Sequence, residues 1–146
     1  MSNVAVIGGG ASGLVAAYAA AKNGHHVELF EKNEKLGKKL YITGKGRCNV
    51  TNACTLVNDL MDAIPGNARF LYGAFSRFMP YDTMDLFENK LGVPLKVERG
   101  NRVFPVSDKA VDIVDALTSF AKGADFYYNC TCIEIFAEDG KVTGIA

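Results

Sequence analysis

Three glycines near the start of the chain carry the clearest chemistry. Gly8, Gly10 and Gly13 form a G-x-G-x-x-G pattern within Val4-Ala5-Val6-Ile7-Gly8-Gly9-Gly10-Ala11-Ser12-Gly13. The pattern suits anion binding. Gly8 permits a tight turn, Gly10 lets the backbone approach a pyrophosphate, and Gly13 lets a following helix pack close to a sheet. The unpaired amides at that helix's start would then face the phosphates. Ser12 brings a hydroxyl that either adds a donor or satisfies the helix start. Glu31 closes the next apolar run, where an acid is expected to take ribose hydroxyls. A carboxylate there disfavours a 2'-phosphate. Together these residues predict a turn for an unphosphorylated adenosine dinucleotide; the alternative is a tight packing turn with no ligand. Lys32 either lies over the adenine side or is solvated.

A second cluster follows in Gly44-Lys45-Gly46-Arg47-Cys48-Asn49-Val50-Thr51-Asn52. Arg47 offers a fork of donors for phosphate or a carbonyl edge. Asn49 and Thr51 can satisfy buried polar atoms or stabilise the turn. Cys48 reads as a redox thiol or as a small buried residue, and no C-x-x-C partner accompanies it. Cys130 and Cys132, one residue apart, would face the same side of a regular strand. His25 and His26 lack the cysteine or carboxylate spacing of a metal site and read as a surface turn. No metal is expected, and no catalytic acid or base can be named. Tyr41, Tyr72 and Tyr81 are open to a cofactor-side role or to packing.

These residues need elements to hold them. Residues 3–7 predict a buried parallel strand covered on both faces, 13–23 a helix ended by Asn23-Gly24, and 27–31 a second strand. Residues 32–52 show no sustained periodicity apart from a short helix near 36–40. So long an irregular connection, with this glycine, asparagine and threonine content, points to function. Helices are expected over 56–64, 68–78, 81–91 and 109–122, the last with Ile113, Leu117 and Phe120 on its buried side. Ser107 reads as the last helix's cap or as a turn before it. Strands are expected over 93–98, 102–104, 125–130, 132–137 and 142–146. Gly100-Asn101 and Asp139-Gly140 supply hairpin turns.

The bulk properties narrow the class. The chain has 146 residues, is 49% hydrophobic, and balances 16 basic against 16 acidic side chains. That describes a globular domain with no field favouring nucleic acid or an anionic membrane. The one basic stretch, Lys35 to Arg47, is either a solvated loop or a patch over phosphates. Four cysteines without a pairing pattern, and no apolar span or signal segment, predict a cytoplasmic protein.

The lysine-bearing loop and the G-x-G-R-C-N-x-T-N run resemble the bacterial and archaeal NAD(P)/FAD-dependent oxidoreductases of the aminoacetone-oxidase-like kind. The matching letters stand at Gly44, Gly46, Arg47, Cys48, Asn49, Thr51 and Asn52. Residues 102–110 resemble a second family segment, and 112–117 the helix after it. The resemblance implies a Rossmann-type, three-layer α/β fold with bound FAD, and hydride transfer from a small substrate to the flavin. Gly8, Gly9, Gly10, Ala11, Ser12 and Gly13 would hold the pyrophosphate, and Glu31 the adenosine ribose, with Lys32 beside it. Lys39 would lie near the phosphates, and Gly46, Arg47, Cys48 and Asn49 along the ribityl or flavin part. The family is longer, so residues 1–146 read as the N-terminal part of an FAD-binding domain that lacks a later insert and the closing segment. The implied partners are a small-molecule substrate, an NAD(P)H donor, and self-association or a complementing chain. The alternatives are an NAD-dependent oxidoreductase and a non-catalytic FAD-binding fragment.

Overall fold

A computed structural model describes residues Met1–Ala146, which divide into two compact units. Unit 1 comprises residues 1–40 and 117–146, and unit 2 the inserted residues 41–116. No helix is long and apolar enough to cross a membrane.

Unit 1 opens with β1 (Asn3–Ile7), α1 (Ala11–Lys22) and β2 (His26–Glu31). β1 and β2 pair in parallel, Val4 against Val27 and Ile7 against Phe30. Leu14 and Ala17 on α1 are fully buried; small side chains bring the helix close to the sheet. Asn23 ends α1, its side-chain amide donating to the Ala19 carbonyl at 2.7 Å, and Gly24 follows at φ +79°. α2 (Lys38–Ile42) carries the chain across into unit 2.

Unit 2 continues through a 3-10 turn at Thr43–Gly46, then β3 (Thr51–Asn52), α3 (Val57–Asp62) and α4 (Tyr72–Phe75). α5 (Pro80–Asp85) runs into a widened turn at Leu86–Lys90 that buries the adjacent Leu86 and Phe87. β4 (Leu95–Glu98) and β5 (Arg102–Pro105) are antiparallel, and β3 adds to the far side of β5. Val103 and Phe104 on this central strand are almost wholly buried. α6 (Ala110–Phe120) leaves unit 2 with Ile113 and Val114 buried and enters unit 1 at Leu117.

Unit 1 then resumes. Phe120 stacks on Tyr18 with ring centroids 3.5 Å apart. β6 (Asp125–Tyr128) joins β2 in parallel, giving the order β1-β2-β6. β7 (Ile135–Glu138) and β8 (Lys141–Ile145) form a separate hairpin. Its turn residues Asp139 and Gly140 take φ +49° and +74°, the double left-handed turn that suits strand twist.

Several expectations change. Within residues 1–146 β1 pairs with β2 alone and is partly exposed along its length, whereas its branched residues predict a strand covered on both faces. The helix expected over 68–78 is a 3-10 turn at Ala68–Leu71 followed by one turn of α4, with Phe70 and Phe78 exposed. Gly73 in the middle lowers helix propensity. α5 starts at Pro80, which suits a first helical position, while the Asp82 carboxylate accepts from the Met79 amide at 2.7 Å. The strand expected over 125–130 stops at Tyr128, and 132–134 is not a strand. β3 went unpredicted because a two-residue strand has no periodicity to detect.

Candidate functional site

Each glycine of the opening pattern has a distinct physical reason. Gly8 sits at φ +98°, where a side chain would be strained. A Cβ on Gly13 would fall 1.9 Å from the Gly8 carbonyl oxygen, so no side chain fits between α1 and the turn. A Cβ on Gly10 would meet nothing within 4 Å. Gly10 is therefore free of the fold's demands and faces open space. Gly9, outside the G-x-G-x-x-G positions, is clamped. Its amide donates to Glu31 Oε2 at 2.7 Å, its carbonyl accepts from the Gly37 amide at 2.8 Å, and a Cβ would fall 2.3 Å from Leu36 Cδ2.

The open space is a cleft of about 960 Å3, the size of a cofactor pocket. It lies at the carboxyl ends of the parallel strands of unit 1. Gly8, Gly10, Ala11 and Ser12 line one part, Glu31, Lys32 and Asn33 another, and Lys38 and Lys39 a third. Gly10 caps α1 with no side-chain hydrogen bond, and the first turn carries no acid. The helix therefore presents unsatisfied amides and a positive dipole end to the cleft, with lysines adding to it. That cradle fits a pyrophosphate, and a Cβ at Gly10 would fill it.

Glu31 is the only buried charged side chain, 7% exposed. Burial pushes its carboxyl up. Hydrogen bonds from the Asn33 and Gly9 amides and the Asn33 side chain, with the charge of Lys32, outweigh burial and hold it below the usual value of 4.5. It is an ionised acceptor inside the cleft wall, the state that ribose hydroxyls require.

Of the residues the sequence singled out for a cofactor, Gly8, Gly10, Ala11, Ser12, Glu31, Lys32 and Lys39 line this cleft. Asn33, Lys38, Cys130, Thr131 and Cys132 line it as well, and the sequence did not single them out for it. The last three lie beyond β6, where the Cys130 amide donates to the Glu31 carbonyl at 3.0 Å. The general rule that ligands gather at the carboxyl ends of parallel strands was the available signal. His26, expected in a surface turn, instead opens β2, where its exposed ring lies 3.6 Å from Asp125.

Gly46, Arg47, Cys48 and Asn49 lie in unit 2. Gly44 takes φ +56°, and a Cβ there would fall 2.6 Å from Phe104 Cε1. Lys45 and Cys48 are left-handed at φ +58° and +64°, unusual for side-chain-bearing residues. The loop is held by charge. One terminal nitrogen of Arg47 lies 2.8 Å from Glu98 and 3.3 Å from Asp108, and Lys96 lies 2.6 Å from Asp108. The guanidinium sits 4.1 Å over the Phe104 ring. The Arg47 hydrogen bond holds the Glu98 carboxyl low, and the Lys96 hydrogen bond does the same for Asp108. Cys48 is 1% exposed, and burial pushes its thiol up. Turned to satisfy its neighbours, the Asn49 amide donates to the Val103 and Thr51 carbonyls, each at 3.2 Å. Tyr72 and Tyr81 are exposed.

Comparison with known proteins agrees with this geometry. The family described as the HI0933-like protein Rossmann domain matches residues 2–145. A 3-dehydro-bile acid delta(4,6)-reductase of Clostridium scindens is 37% identical over 122 residues, covering 80% of this chain and 28% of that protein. A ribosomal RNA dihydrouridine synthase of Escherichia coli is 34% identical over 112 residues, covering 77% of this chain and 27% of that one. The chain thus spans little more than a quarter of the length of either. Among solved structures, a 3-ketosteroid-delta4-(5alpha)-dehydrogenase from Rhodococcus jostii RHA1 superposes with a TM-score of 0.65 at 16% identity, covering 97% of this chain and 41% of that one. This likeness shows a shared fold.

Proposed function

The chain belongs to the HI0933-like Rossmann-domain family of FAD-binding oxidoreductases, and on that premise we propose that unit 1 holds the adenosine diphosphate half of FAD. The protein is then the nucleotide-binding part of a flavoprotein that exchanges a hydride with a small organic substrate. The observation that carries this reading is the pairing of unsatisfied α1 amides with a buried, ionised Glu31 across one cleft. The amides at Gly10, Ala11 and Ser12 take the pyrophosphate, Lys39 offsets its charge, and Glu31 accepts from the ribose. Bound FAD would supply the hydride-carrying ring; the residues here bind and orient it.

The Clostridium relative is named a reductase, which favours hydride donation to the substrate, and an NAD(P)H donor would then supply the reducing equivalents. Equal numbers of acidic and basic side chains favour a small substrate over RNA. The test is an absorption spectrum of the purified chain, followed by titration with FAD and with NAD. A flavin spectrum, or FAD binding at least tenfold tighter than NAD, is expected. NAD binding without FAD binding would replace this reading with a nicotinamide enzyme.

A further inference from the structure

Asn33 stands two residues past Glu31, outside every glycine or acid pattern, yet two of its N–H donors meet that acid. Its backbone N–H donates to Glu31 Oε1 at 2.9 Å and its side-chain Nδ2 donates to the same oxygen at 2.5 Å. Glu31 Oε2 receives the Gly9 amide at 2.7 Å. A carboxylate oxygen accepts about two hydrogen bonds. Oε1 is therefore filled, and the remaining acceptor direction belongs to Oε2.

Lys38 fixes the other end of the same amide. Its Nζ donates to Asn33 Oδ1 at 3.1 Å and lies 3.9 Å from Glu34. An ammonium only donates, so it holds Oδ1 toward itself and turns Nδ2 toward Glu31. Without that anchor the amide is free to flip, which would set Oδ1 against a carboxylate oxygen. Asn33 and Lys38 both line the cleft with Glu31.

We propose that Asn33, anchored by Lys38, is a specificity-determining positioning residue: it fills one oxygen of Glu31 and aims the other at the ribose of a bound adenine nucleotide. This rests on the nucleotide reading above and adds the residues that set its selectivity. A locked, acceptor-only carboxylate takes a ribose hydroxyl and repels a phosphate at the same place. A carboxylate free to rotate would discriminate less, because it could turn to water when the hydroxyl is missing.

The test uses the full chain and two probes, ADP and 2'-deoxy-ADP, in calorimetric titrations. The wild-type chain should prefer ADP by about tenfold, the effect of one hydrogen bond to a charged group. Asn33→Ala should bring that preference to within about twofold, and Asn33→Asp should weaken ADP binding further by setting a second carboxylate beside Glu31. Lys38→Met, at a half-exposed side chain, should lower the preference by an intermediate amount, and it carries the test if the Asn33 variants do not fold. Variants that keep the wild-type ratio, with or without a general loss of affinity, would overturn the proposal and leave Asn33 a purely structural loop residue. A wild-type chain that binds neither ADP nor FAD would remove the nucleotide reading itself. A wild-type chain that binds both without preferring ADP over 2'-deoxy-ADP would overturn only the role of Asn33.

Discussion

Glu31 concentrates most of the site's electrostatics in one side chain. Its burial opposes ionisation, yet donors from Gly9 and Asn33 reverse that and hold its carboxyl low. Because the folded value lies below 4.5, the stabilisation is present above the ordinary carboxylate range and is lost as pH falls through the folded value. Glu31→Gln should lose about 1–3 kcal/mol of stability at pH 7, since an amide nitrogen would then face an N–H donor. The gap from wild type should narrow at pH 3, as read from urea midpoints at the two pH values. ADP affinity should fall about tenfold or more in the same variant. Cys48 gives a contrasting residue-level prediction. Its buried thiol is pushed toward the neutral form, while Cys54, Cys130 and Cys132 are partly exposed. Iodoacetamide labelling followed by peptide mass mapping should modify Cys48 last, by about tenfold or more in rate. Labelling of Cys48 as fast as the others would contradict its burial.

At the scale of elements, the β1–turn–α1 unit separates glycines that the fold requires from Gly10, which opens on the cleft. Gly13→Ala would drive a methyl into the Gly8 carbonyl and should cost about 3 kcal/mol or more, seen as a large drop in melting temperature. Gly10→Ala adds a methyl to open space at a backbone conformation any residue adopts, φ −85° and ψ −173°. It should leave the melting temperature within about 2 °C of wild type while reducing FAD binding at least tenfold. A Gly10→Ala chain that binds FAD normally would mean that the phosphates do not approach this turn. The Gly44–Asn49 loop is another such element. Arg47 ties it to β4 and to the turn before α6, through Glu98 and Asp108. Arg47→Met should speed hydrogen exchange at the Cys48 and Asn49 amides, with a smaller effect in high salt, where screening has already weakened the pairs.

Across the whole chain, stability is unevenly distributed. β2 lies between β1 and β6 and buries Val27 and Leu29, whereas β7 and β8 pair only with each other and leave Ile135, Phe136 and Val142 exposed. A two-stranded hairpin without a covered face is marginal. Hydrogen exchange should therefore be fastest in β7–β8 and slowest in β2, by at least about a hundredfold in protection. Comparable protection in both would show that the hairpin is covered in solution. The Val-Ala-Val-Ile run of β1 has the composition of a strand covered on both faces, but composition does not state a strand's neighbours, and in this chain only β2 pairs with it.

The sequence by itself determined what short range dictates. The G-x-G-x-x-G turn, the α1 ending at Asn23-Gly24, the Asp139-Gly140 hairpin and Glu31 at the close of β2 follow from steric and hydrogen-bonding rules spanning a few residues. Tertiary structure alone decided that Gly9 is clamped by Glu31, Gly37 and Leu36 while Gly10 opens on the cleft. It also decided that Cys130, Thr131 and Cys132 join the cleft, because the pairing of β2 with β6 connects segments nearly a hundred residues apart in the chain. Asn33 and Lys38 became visible only once side-chain directions were fixed. An asparagine and a lysine in a polar loop carry no periodicity, and the hydrogen bonds that join them to Glu31 and to each other appear only in the fold.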